Sequence, residues 1–276
     1  MNKRILGKLC WFISLVLLVI FVCFPLFQMF SVAFKSSTEQ FALPVTFLPK
    51  HWTLDNFIQA INYDAFRVYF KNSLIVSLVT TGLTIVISLF GAYGFTRTHF
   101  PGRKIFLMMV LFSQMICLAA IAVPIYRIIT KFNLSDSYAG LIICYLAFTV
   151  PVGIWLLKGF IEGIPVDLED AAKVDGASKL QAFQKVVLPL LKPGIGATGA
   201  YVFFLSWQEF LFSLIVMTDK SKRTLPTGIM DYVGQYETSW GSMMASSILL
   251  ALPVFVIFTV VQKQLVAGLT EGAVKG

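Results

Sequence analysis

The sequence has 276 residues, of which 57% are hydrophobic and only 13% are charged, and its mean hydropathy is +0.80. A soluble domain of this size needs a far more polar surface, so these values exclude a soluble protein and indicate an integral membrane protein. The net charge of +8 comes mainly from Lys and Arg near the ends of apolar runs. Because membrane topology explains such a distribution, we expect no nucleic-acid partner.

Six apolar runs are each long enough to cross a bilayer as a helix. They cover residues 9–34, 72–95, 105–129, 138–160, 194–217 and 242–262, each boundary being approximate. With their loops, these runs use almost the whole length. The sequence therefore predicts an all-α integral membrane protein, with residues 1–276 forming a single transmembrane domain of six spans.

Basic residues set the expected orientation of the spans. Lys3, Arg4 and Lys8 precede the first run, which is too long to be the core of a cleavable signal peptide. Three more basic residues lie in the short loop 97–104, and excess Lys and Arg mark the cytoplasmic side. We predict that both termini are cytoplasmic, and that residues 35–69 and 218–241 form external loops.

The segment 161–192, between the fourth and fifth runs, is the longest charged stretch of the chain. Pro165 suits the first turn of a helix, and the acidic residues at 167, 169 and 170 place negative charge at its positive end. Gly176 can adopt the left-handed conformation that ends a helix, and Ser178 can cap the next one. Two short helices are therefore predicted to meet at a tight corner.

The first of these helices has features of a docking surface. Ala171 and Ala172 make one face small, so that another molecule could approach closely, and the neighbouring carboxylates could pair with Arg or Lys of a partner. The alternative is a solvated amphipathic loop without a partner.

A second unusual stretch, Trp207-Gln208-Glu209, lies inside the fifth apolar run. A carboxylate at membrane depth is costly, so Glu209 should face protein or a water-filled cavity instead of lipid. Two interpretations remain open at this stage. Glu209 either makes a hydrogen bond between helices or lines and gates a pathway.

The sequence contains no group suited to catalysis. It lacks the Gly-x-x-x-x-Gly-Lys-Ser/Thr loop that cradles nucleotide phosphates, so the chain is not expected to hydrolyse ATP. It also lacks metal-ligand spacing, and the cysteines lie in or beside apolar runs as packing residues. We predict no catalytic residue, no metal and no cofactor bound by this chain, and assign no chemistry to His51 or His99.

The docking segment carries a signature of three parts, which are Asp170-Ala171-Ala172, Gly176 and Val186-Val187-Leu188-Pro189. In these residues the chain resembles the inner-membrane permease subunits of bacterial ABC importers, whose signature is Glu-Ala-Ala, then Gly, then Ile-x-Leu-Pro. Asp170 stands where the family has Glu. Either Asp170 or the adjacent Glu169 is therefore expected to form the salt bridge to the ATPase.

Further stretches resemble the carbohydrate-uptake branch of that family, in particular the second permease subunit of maltose-type and glycerol-phosphate-type systems. They are Lys35-Ser36-Ser37-Thr38-Glu39, Trp52-Thr53-Leu54-Asp55-Asn56-Phe57, Asn72-Ser73-Leu74, Phe100-Pro101-Gly102-Arg103, Trp155-Leu156-Leu157-Lys158-Gly159-Phe160, Trp207-Gln208-Glu209-Phe210-Leu211 and Gly272-Ala273-Val274-Lys275-Gly276. Gln208 stands where Asn is commoner. The resemblance extends over essentially the whole chain.

The resemblance implies an assembly in the inner membrane. Its other members are a homologous second permease, two ATPase subunits that bind ATP and Mg, and an extracytoplasmic solute-binding protein. A cytoplasmic coupling helix between the fourth and fifth spans would contact the ATPase. The implied ATPase-coupling residues are Glu169, Asp170, Ala171, Ala172, Asp175, Gly176, Leu188 and Pro189, and the candidates for the translocation pathway or its gate are Trp207, Gln208 and Glu209.

Three alternatives to a sugar importer are open from sequence. The same type of transporter could carry a phosphorylated polyol or another small solute. A stand-alone secondary transporter or channel would show inverted repeats and ion ligands at the membrane midplane, and neither is apparent. A membrane sensor or scaffold would recruit a partner through the cytoplasmic loop without transport.

Overall fold

A computed structural model describes residues 3–234 and 238–273, and within these ranges every regular element is a helix. The chain divides into two compact units. One comprises Met1–Arg67 and Ile229–Leu252, and the other comprises Val68–Gly228 and Pro253–Gly276. Each unit is described by itself below.

The α-helices are numbered in chain order. They are α1 (Lys3–Ala33), α2 (Ser37–Gln40), α3 (Asp55–Asn62), α4 (Asp64–Arg97), α5 (Arg103–Ser113), α6 (Leu118–Lys131), α7 (Tyr138–Glu162), α8 (Val166–Val174), α9 (Lys179–Ala182), α10 (Leu188–Leu190), α11 (Lys192–Trp207), α12 (Leu211–Val216), α13 (Leu225–Gly228) and α14 (Trp240–Ala273). A π-helical turn, Phe183–Val187, joins α9 to α10.

Within the described residues, four helices are long and apolar enough to cross a membrane. They are the stretches Trp11–Ala33, Ala65–Arg97, Tyr138–Glu162 and Trp240–Gln262. Two further pairs qualify only if each bent pair is counted as one span. These are α5 with α6, which meet at 99°, and Lys179–Leu190 with α11, which meet at 72°. The helices and their composition confirm the predicted all-α fold, with between four and six candidate spans.

Two of the apolar runs are interrupted. The run at 105–129 breaks between Ser113 and Leu118, and Pro124 lies inside α6. The run at 194–217 ends as a helix at Trp207 and resumes at Leu211. Hydropathy reports only the affinity of side chains for lipid, so it cannot locate a break in backbone hydrogen bonding. Residues 274–276 of the predicted tail motif lie outside the described residues.

In the first unit, α1 ends against α3 and the beginning of α14. Ala33, Ala60, Ala245 and Ile248 form a small buried cluster there. The buried side-chain amide of Asn56 donates to the carbonyl oxygens of Ala33 and Lys35, at 2.9 and 2.7 Å. These bonds satisfy carbonyl groups that the end of α1 leaves open.

The polar loop after α1 is folded around one carboxylate. Glu39 accepts hydrogen bonds from the Thr46 hydroxyl at 3.0 Å and from the Lys50 backbone N–H at 2.8 Å. The Lys50 N–H is the main reason that the pKa of Glu39 lies below its usual value. Lys35 donates its ammonium group to the Thr46 carbonyl. Two charged residues of one sequence motif thereby order the loop after α1.

In the second unit, α4 presents a row of buried hydroxyls to its neighbours. Ser73, Ser77, Thr80, Thr84 and Ser88 recur at spacings of three or four residues, and all are buried. The Thr84 hydroxyl lies 2.8 Å from that of Thr149 on α7, and the Ser88 hydroxyl donates to the Val150 carbonyl at 3.2 Å. Small polar side chains of this kind let membrane helices pack closely and join them by hydrogen bonds.

Two connections of the second unit are joined by hydrogen bonds to Asp136. Its carboxylate accepts the backbone N–H of Asp219 at 2.7 Å and the hydroxyl of Thr218, and its carbonyl accepts the Lys222 ammonium at 2.6 Å. The N–H of Asp219 is the largest of the effects that lower the pKa of Asp136 from its usual 3.8. The loop after α6 and the loop after α12 are therefore joined.

Gly153→Ala should destabilise the protein because the added methyl group would meet the side chains of Ser88 and Thr84. Overpacking of this kind costs about 1–3 kcal/mol. Gly159→Ala on the same helix is the matched control, since nothing lies within 4 Å of the new methyl group. We expect thermal unfolding in detergent to occur at a lower temperature for Gly153→Ala and at an unchanged or higher temperature for Gly159→Ala. Equal shifts would contradict the close packing of α4 and α7.

Asp136→Asn should make the stability of the protein depend less steeply on pH at acid pH. A carboxylate with a lowered folded-state pKa stabilises the fold fully above its unfolded pKa of 3.8, and this contribution is lost as the pH falls through the folded value. As the pH falls below 3.8 and through the lower folded-state pKa, wild-type stability should therefore decline more steeply than that of the Asn variant, which starts lower. Thermal unfolding measured across this range tests the sign. Parallel curves would exclude the effect.

Candidate functional site

The predicted corner of the docking segment is present in the second unit. Helix α8 begins after Pro165 and ends at Val174, and Gly176 adopts φ +87°. The N–H of Gly176 bonds to the Lys173 carbonyl at 3.0 Å, and that of Ala177 bonds to the Ala172 carbonyl at 2.9 Å. This is the hydrogen-bond pattern of a Schellman motif, and it closes the helix with glycine at the left-handed position.

The next helix begins as its sequence predicts. The Ser178 hydroxyl accepts the Gln181 N–H, and the Gln181 side chain accepts the Ser178 N–H at 2.8 Å, forming a capping box. Beyond it, the π-helical turn places Phe183 and Val187 in a buried cluster with Leu157 and Ile161 of α7. The corner at Gly176 is therefore held at its base by apolar packing against the fourth apolar helix.

The two candidate carboxylates of the docking segment differ in their exposure to solvent. Glu169 is 1% exposed and accepts the Arg97 Nε at 2.5 Å and the Tyr93 hydroxyl at 2.8 Å. Asp170 is exposed and bonds to Lys173, one turn along the same helix, at 2.8 Å. Asp175 is exposed at the end of the helix. Of the two adjacent carboxylates, Asp170 is the one available to another molecule.

The exposed side of α8 combines this carboxylate with apolar residues. Val166, Asp170 and Val174 follow one another at four-residue intervals, and Ala171 is exposed beside them. The Val174 side chain is 88% exposed. An exposed apolar stripe around a single charge, on an otherwise polar segment, is typical of a protein contact surface.

The remaining residues of the signature belong to the base of the segment. Leu188 packs, partly buried, against the cluster that contains Val187, and Pro189 is exposed in the first turn of α10. The sequence stretch from 186 to 189 thus anchors the corner, while Asp170 and Ala171 are presented on α8.

The predicted pathway residues surround the break between α11 and α12. Trp207 is 1% exposed and stacks on Phe203 with ring centroids 5.4 Å apart. Gln208 is exposed. Glu209 is 8% exposed, and its two oxygens accept the N–H groups of Phe212 and Ser213 at 2.8 and 3.2 Å. The carboxylate therefore caps the first turn of α12 and satisfies donors that the break would leave open.

The second break, between α5 and α6, was not predicted from the sequence. There the Gln114 side chain donates to the Phe148 carbonyl of α7 at 3.3 Å. The other break reaches the same part of α7, because the Tyr145 hydroxyl donates to the Glu209 carbonyl at 3.5 Å. The two discontinuities therefore meet α7 within one turn, near its middle. Interrupted helices of this kind form substrate sites in many transporters.

Arg97 is a further residue whose local role the sequence did not reveal. Its position at the end of an apolar run indicated only a charge on the cytoplasmic side. In the structure it pairs with Glu169 and donates to carbonyl groups at the end of α7. Among the described residues, no group of three His, Cys, Asp or Glu could hold a metal ion.

Glu209→Ala should destabilise the protein because two buried N–H groups of α12 would lose their acceptor. An unsatisfied buried donor costs about 1–3 kcal/mol. Glu209→Gln keeps one acceptor oxygen and should fall between the wild type and the Ala variant, whereas Gln208→Ala at the adjacent exposed position should have little effect. Thermal unfolding in detergent distinguishes these cases. Equal stability of Glu209→Ala and Gln208→Ala would contradict the capping role.

Comparison with known proteins places the chain in a family. Residues 84–271 match the model of the "Binding-protein-dependent transport system inner membrane component" family. The chain is 34% identical to the inner membrane ABC transporter permease protein YcjP of Escherichia coli (strain K12), over 100% of this chain and 99% of that protein. It is 33% identical to the diacetylchitobiose uptake system permease protein DasC of Streptomyces coelicolor, over the full length of both.

Another relative is the trehalose/maltose transport system permease protein MalG of Thermococcus litoralis, which is 32% identical over the full length of both chains. Among solved structures, a chain of a bacterial ABC transporter that imports the acidic polysaccharide alginate has the same fold. The TM-score is 0.81 at 20% identity, covering 95% of this chain and 98% of that one. With the family model matching most of the sequence, the chain belongs to the binding-protein-dependent transport system inner membrane components.

Proposed function

We propose that the chain is a transmembrane permease subunit of an ATP-driven ABC importer for a carbohydrate. Relatives that match over nearly the whole chain are named as permeases for diacetylchitobiose, trehalose and maltose, and arabinooligosaccharides. ATP is hydrolysed by separate subunits, and this chain has a transport role. Its partners in the assembly are a homologous second permease, two ATPase subunits carrying ATP and Mg, and an extracytoplasmic solute-binding protein.

In this proposal the chain crosses the inner membrane six times with both termini in the cytoplasm. The four long apolar helices supply four spans, and α5 with α6 supplies another. For the last span we pair α11 with α12, as the apolar run 194–217 predicts, and assign Lys179–Leu190 to the cytoplasmic segment. The segment 161–192 then lies on the cytoplasmic side between the fourth and fifth spans. Its helix α8 carries six charged or alanine residues among its nine, which is unlike any span.

Helix α8 is the coupling helix of the proposed importer, and its exposed stripe supports this assignment most strongly. A partner can cover Val166, Ala171 and Val174 while an Arg or Lys of the ATPase pairs with Asp170. The internal Asp170–Lys173 pair joins two largely exposed groups. It contributes little stability and is easily exchanged for a pair across an interface.

The mechanism follows from the rigidity of the corner at Gly176. ATP favours the closed state of the ATPase pair. The coupling helix of this chain and that of the second permease therefore move toward each other when ATP binds. The Schellman motif and the capping box fix α8 relative to α9, and the buried base of the segment joins both to α7. A displacement of α8 is thereby converted into movement of the spans, which alternates access between the two sides of the membrane.

The pathway in this proposal passes the paired helix breaks. Gln114 and Gln208 are exposed at the two breaks. Their amide groups can hydrogen-bond to the hydroxyl groups of a sugar. Trp207 and Glu209 are buried beside the break, where Trp207 stacks on Phe203 and Glu209 caps α12. They are assigned to the pathway as supporting residues, with Gln208 as the group nearest to a passing solute.

Asp170→Lys and Gly176→Pro should each abolish uptake while the protein still inserts in the membrane. The first reverses the exposed charge of the docking stripe. The second cannot adopt the required φ of +87°, because proline is fixed near −65°. Lys173→Ala is the matched control on the same helix and should retain most of the uptake. Uptake of radiolabelled trehalose, maltose and diacetylchitobiose by cells producing the whole system provides the measurement.

Co-purification from the native membrane gives an independent readout for the same variants. The wild-type chain should bring with it an ATPase and a second permease, and Asp170→Lys should lose the ATPase. Normal ATP-driven uptake by both variants would exclude the coupling-helix assignment. Recovery of the chain alone, with transport intact after reconstitution, would instead favour a stand-alone secondary transporter.

A further inference from the structure

A single guanidinium group joins three helices at the cytoplasmic end of the proposed spans. Arg97, the last residue of α4, donates its Nε to Glu169 of α8 at 2.5 Å. Its Nη2 donates to the carbonyl oxygens of Ile164 and Ile161, at 2.6 and 3.2 Å, where α7 ends. A cation is favoured at this place, because the last carbonyl groups of a helix carry partial negative charge.

Tyr93, one turn before Arg97, adds two contacts from α4 to the docking segment. Its hydroxyl donates to the second oxygen of Glu169 at 2.8 Å. Its ring meets Phe183 edge-on, with ring centroids 4.8 Å apart. Both halves of the corner are therefore attached to the last turns of α4, α8 by polar contacts and the π-helical turn by an aromatic contact.

The contacts around Glu169 are sheltered from water. The side chains of Arg97 and Glu169 are 11% and 2% exposed. Removing one member of such a pair leaves a buried charge without compensation, so the pair resists separation far more strongly than the exposed Asp170–Lys173 pair. Because both oxygens of Glu169 are occupied inside the chain, this carboxylate is not the one that meets a partner.

We infer that Arg97, Glu169 and Tyr93 form a side-chain junction that fixes the coupling helix to the ends of α4 and α7. A displacement of α8 is then transmitted directly to these two helices. Arg97, Glu169 and Tyr93 act as positioning residues for the transport step. This inference rests on the proposed importer function and assigns to Glu169 a role distinct from that of Asp170.

The covalent connections of α8 show why a junction is needed. Only three residues separate the end of α7 at Glu162 from the start of α8 at Val166, and Gly163 is among them. At its other end α8 meets the corner at Gly176. These two connections hold α8 only at its ends. The side-chain junction adds contacts between the buried side of α8 and both α4 and α7.

The test is the efficiency of coupling in the complete transporter reconstituted in lipid vesicles with its solute-binding protein. Glu169→Gln and Arg97→Gln should leave the docking stripe intact, so the ATPase subunits should still co-purify and hydrolyse ATP. The amount of sugar transported per ATP should fall at least about fivefold, the lower range of typical coupling effects. The probe is whichever of radiolabelled trehalose, maltose and diacetylchitobiose the wild type imports.

Glu162→Gln is the matched control. It removes the more exposed Lys158–Glu162 pair, which lies within the last turns of α7 but does not involve α4 or α8. Sugar transported per ATP should be unchanged in this variant. Tyr93→Phe retains the aromatic ring and loses one donor to Glu169, so its loss of coupling should be smaller than that of Glu169→Gln.

A double variant separates coupling from folding. Arg97→Leu with Glu169→Leu removes both buried charges together and should restore assembly if a single variant assembles poorly. It also removes the bonds to the carbonyl groups of α7, so sugar transported per ATP should remain low. A double variant with wild-type coupling would overturn the inference. So would a parallel fall of uptake and hydrolysis in Glu169→Gln, because the junction would then support only assembly.

The same experiment distinguishes failure of the junction from failure of the proposed function. A wild-type complex that hydrolyses ATP without importing any of the three sugars would contradict the carbohydrate importer. A wild-type complex that imports sugar, with Glu169→Gln equally well coupled, would support the importer. It would exclude only the role of the junction in transmitting movement from α8.

Discussion

In a chain this apolar, the polar groups that leave water must find partners inside the protein, because lipid offers none. The second unit meets this constraint in three ways. Hydroxyls of Thr84 and Ser88 on α4 bond to α7, the Glu209 carboxylate closes the broken end of α12, and the Arg97 guanidinium closes the end of α7. The first and the third of these also join helices that lie far apart in the sequence. Satisfying hydrogen bonds and assembling the helices are therefore one process.

The same constraint gives the helix breaks their meaning. A break exposes backbone donors and acceptors, which membrane proteins tolerate only where protein or water can receive them. The breaks after Ser113 and after Trp207 both reach the middle of α7, and each is supported by a hydrogen bond to it. The irregular backbone at both breaks therefore lies against the middle of α7. This is the arrangement expected where a polar solute passes through apolar surroundings.

The docking segment divides two tasks between adjacent carboxylates. Glu169 faces inward and is held by Arg97 and Tyr93, whereas Asp170 faces outward on the exposed stripe of α8. Neighbouring positions on a helix point about 100° apart, so one residue can hold the helix while the next presents a charge. The family signature thus includes the exposed residue Asp170. The residue before it, Glu169, attaches α8 to the rest of the unit.

The sequence alone determined the membrane class, the all-α fold, the corner at Gly176 and the capping by Ser178, because hydropathy and local backbone chemistry act over a few residues. It also carried the signature of the family. Only the tertiary structure decided that Glu169 turns inward, that Glu209 caps α12, and that the third and fifth apolar runs are broken. These features depend on partners such as Arg97 and Phe148, which lie far away in sequence and become neighbours only when the helices pack.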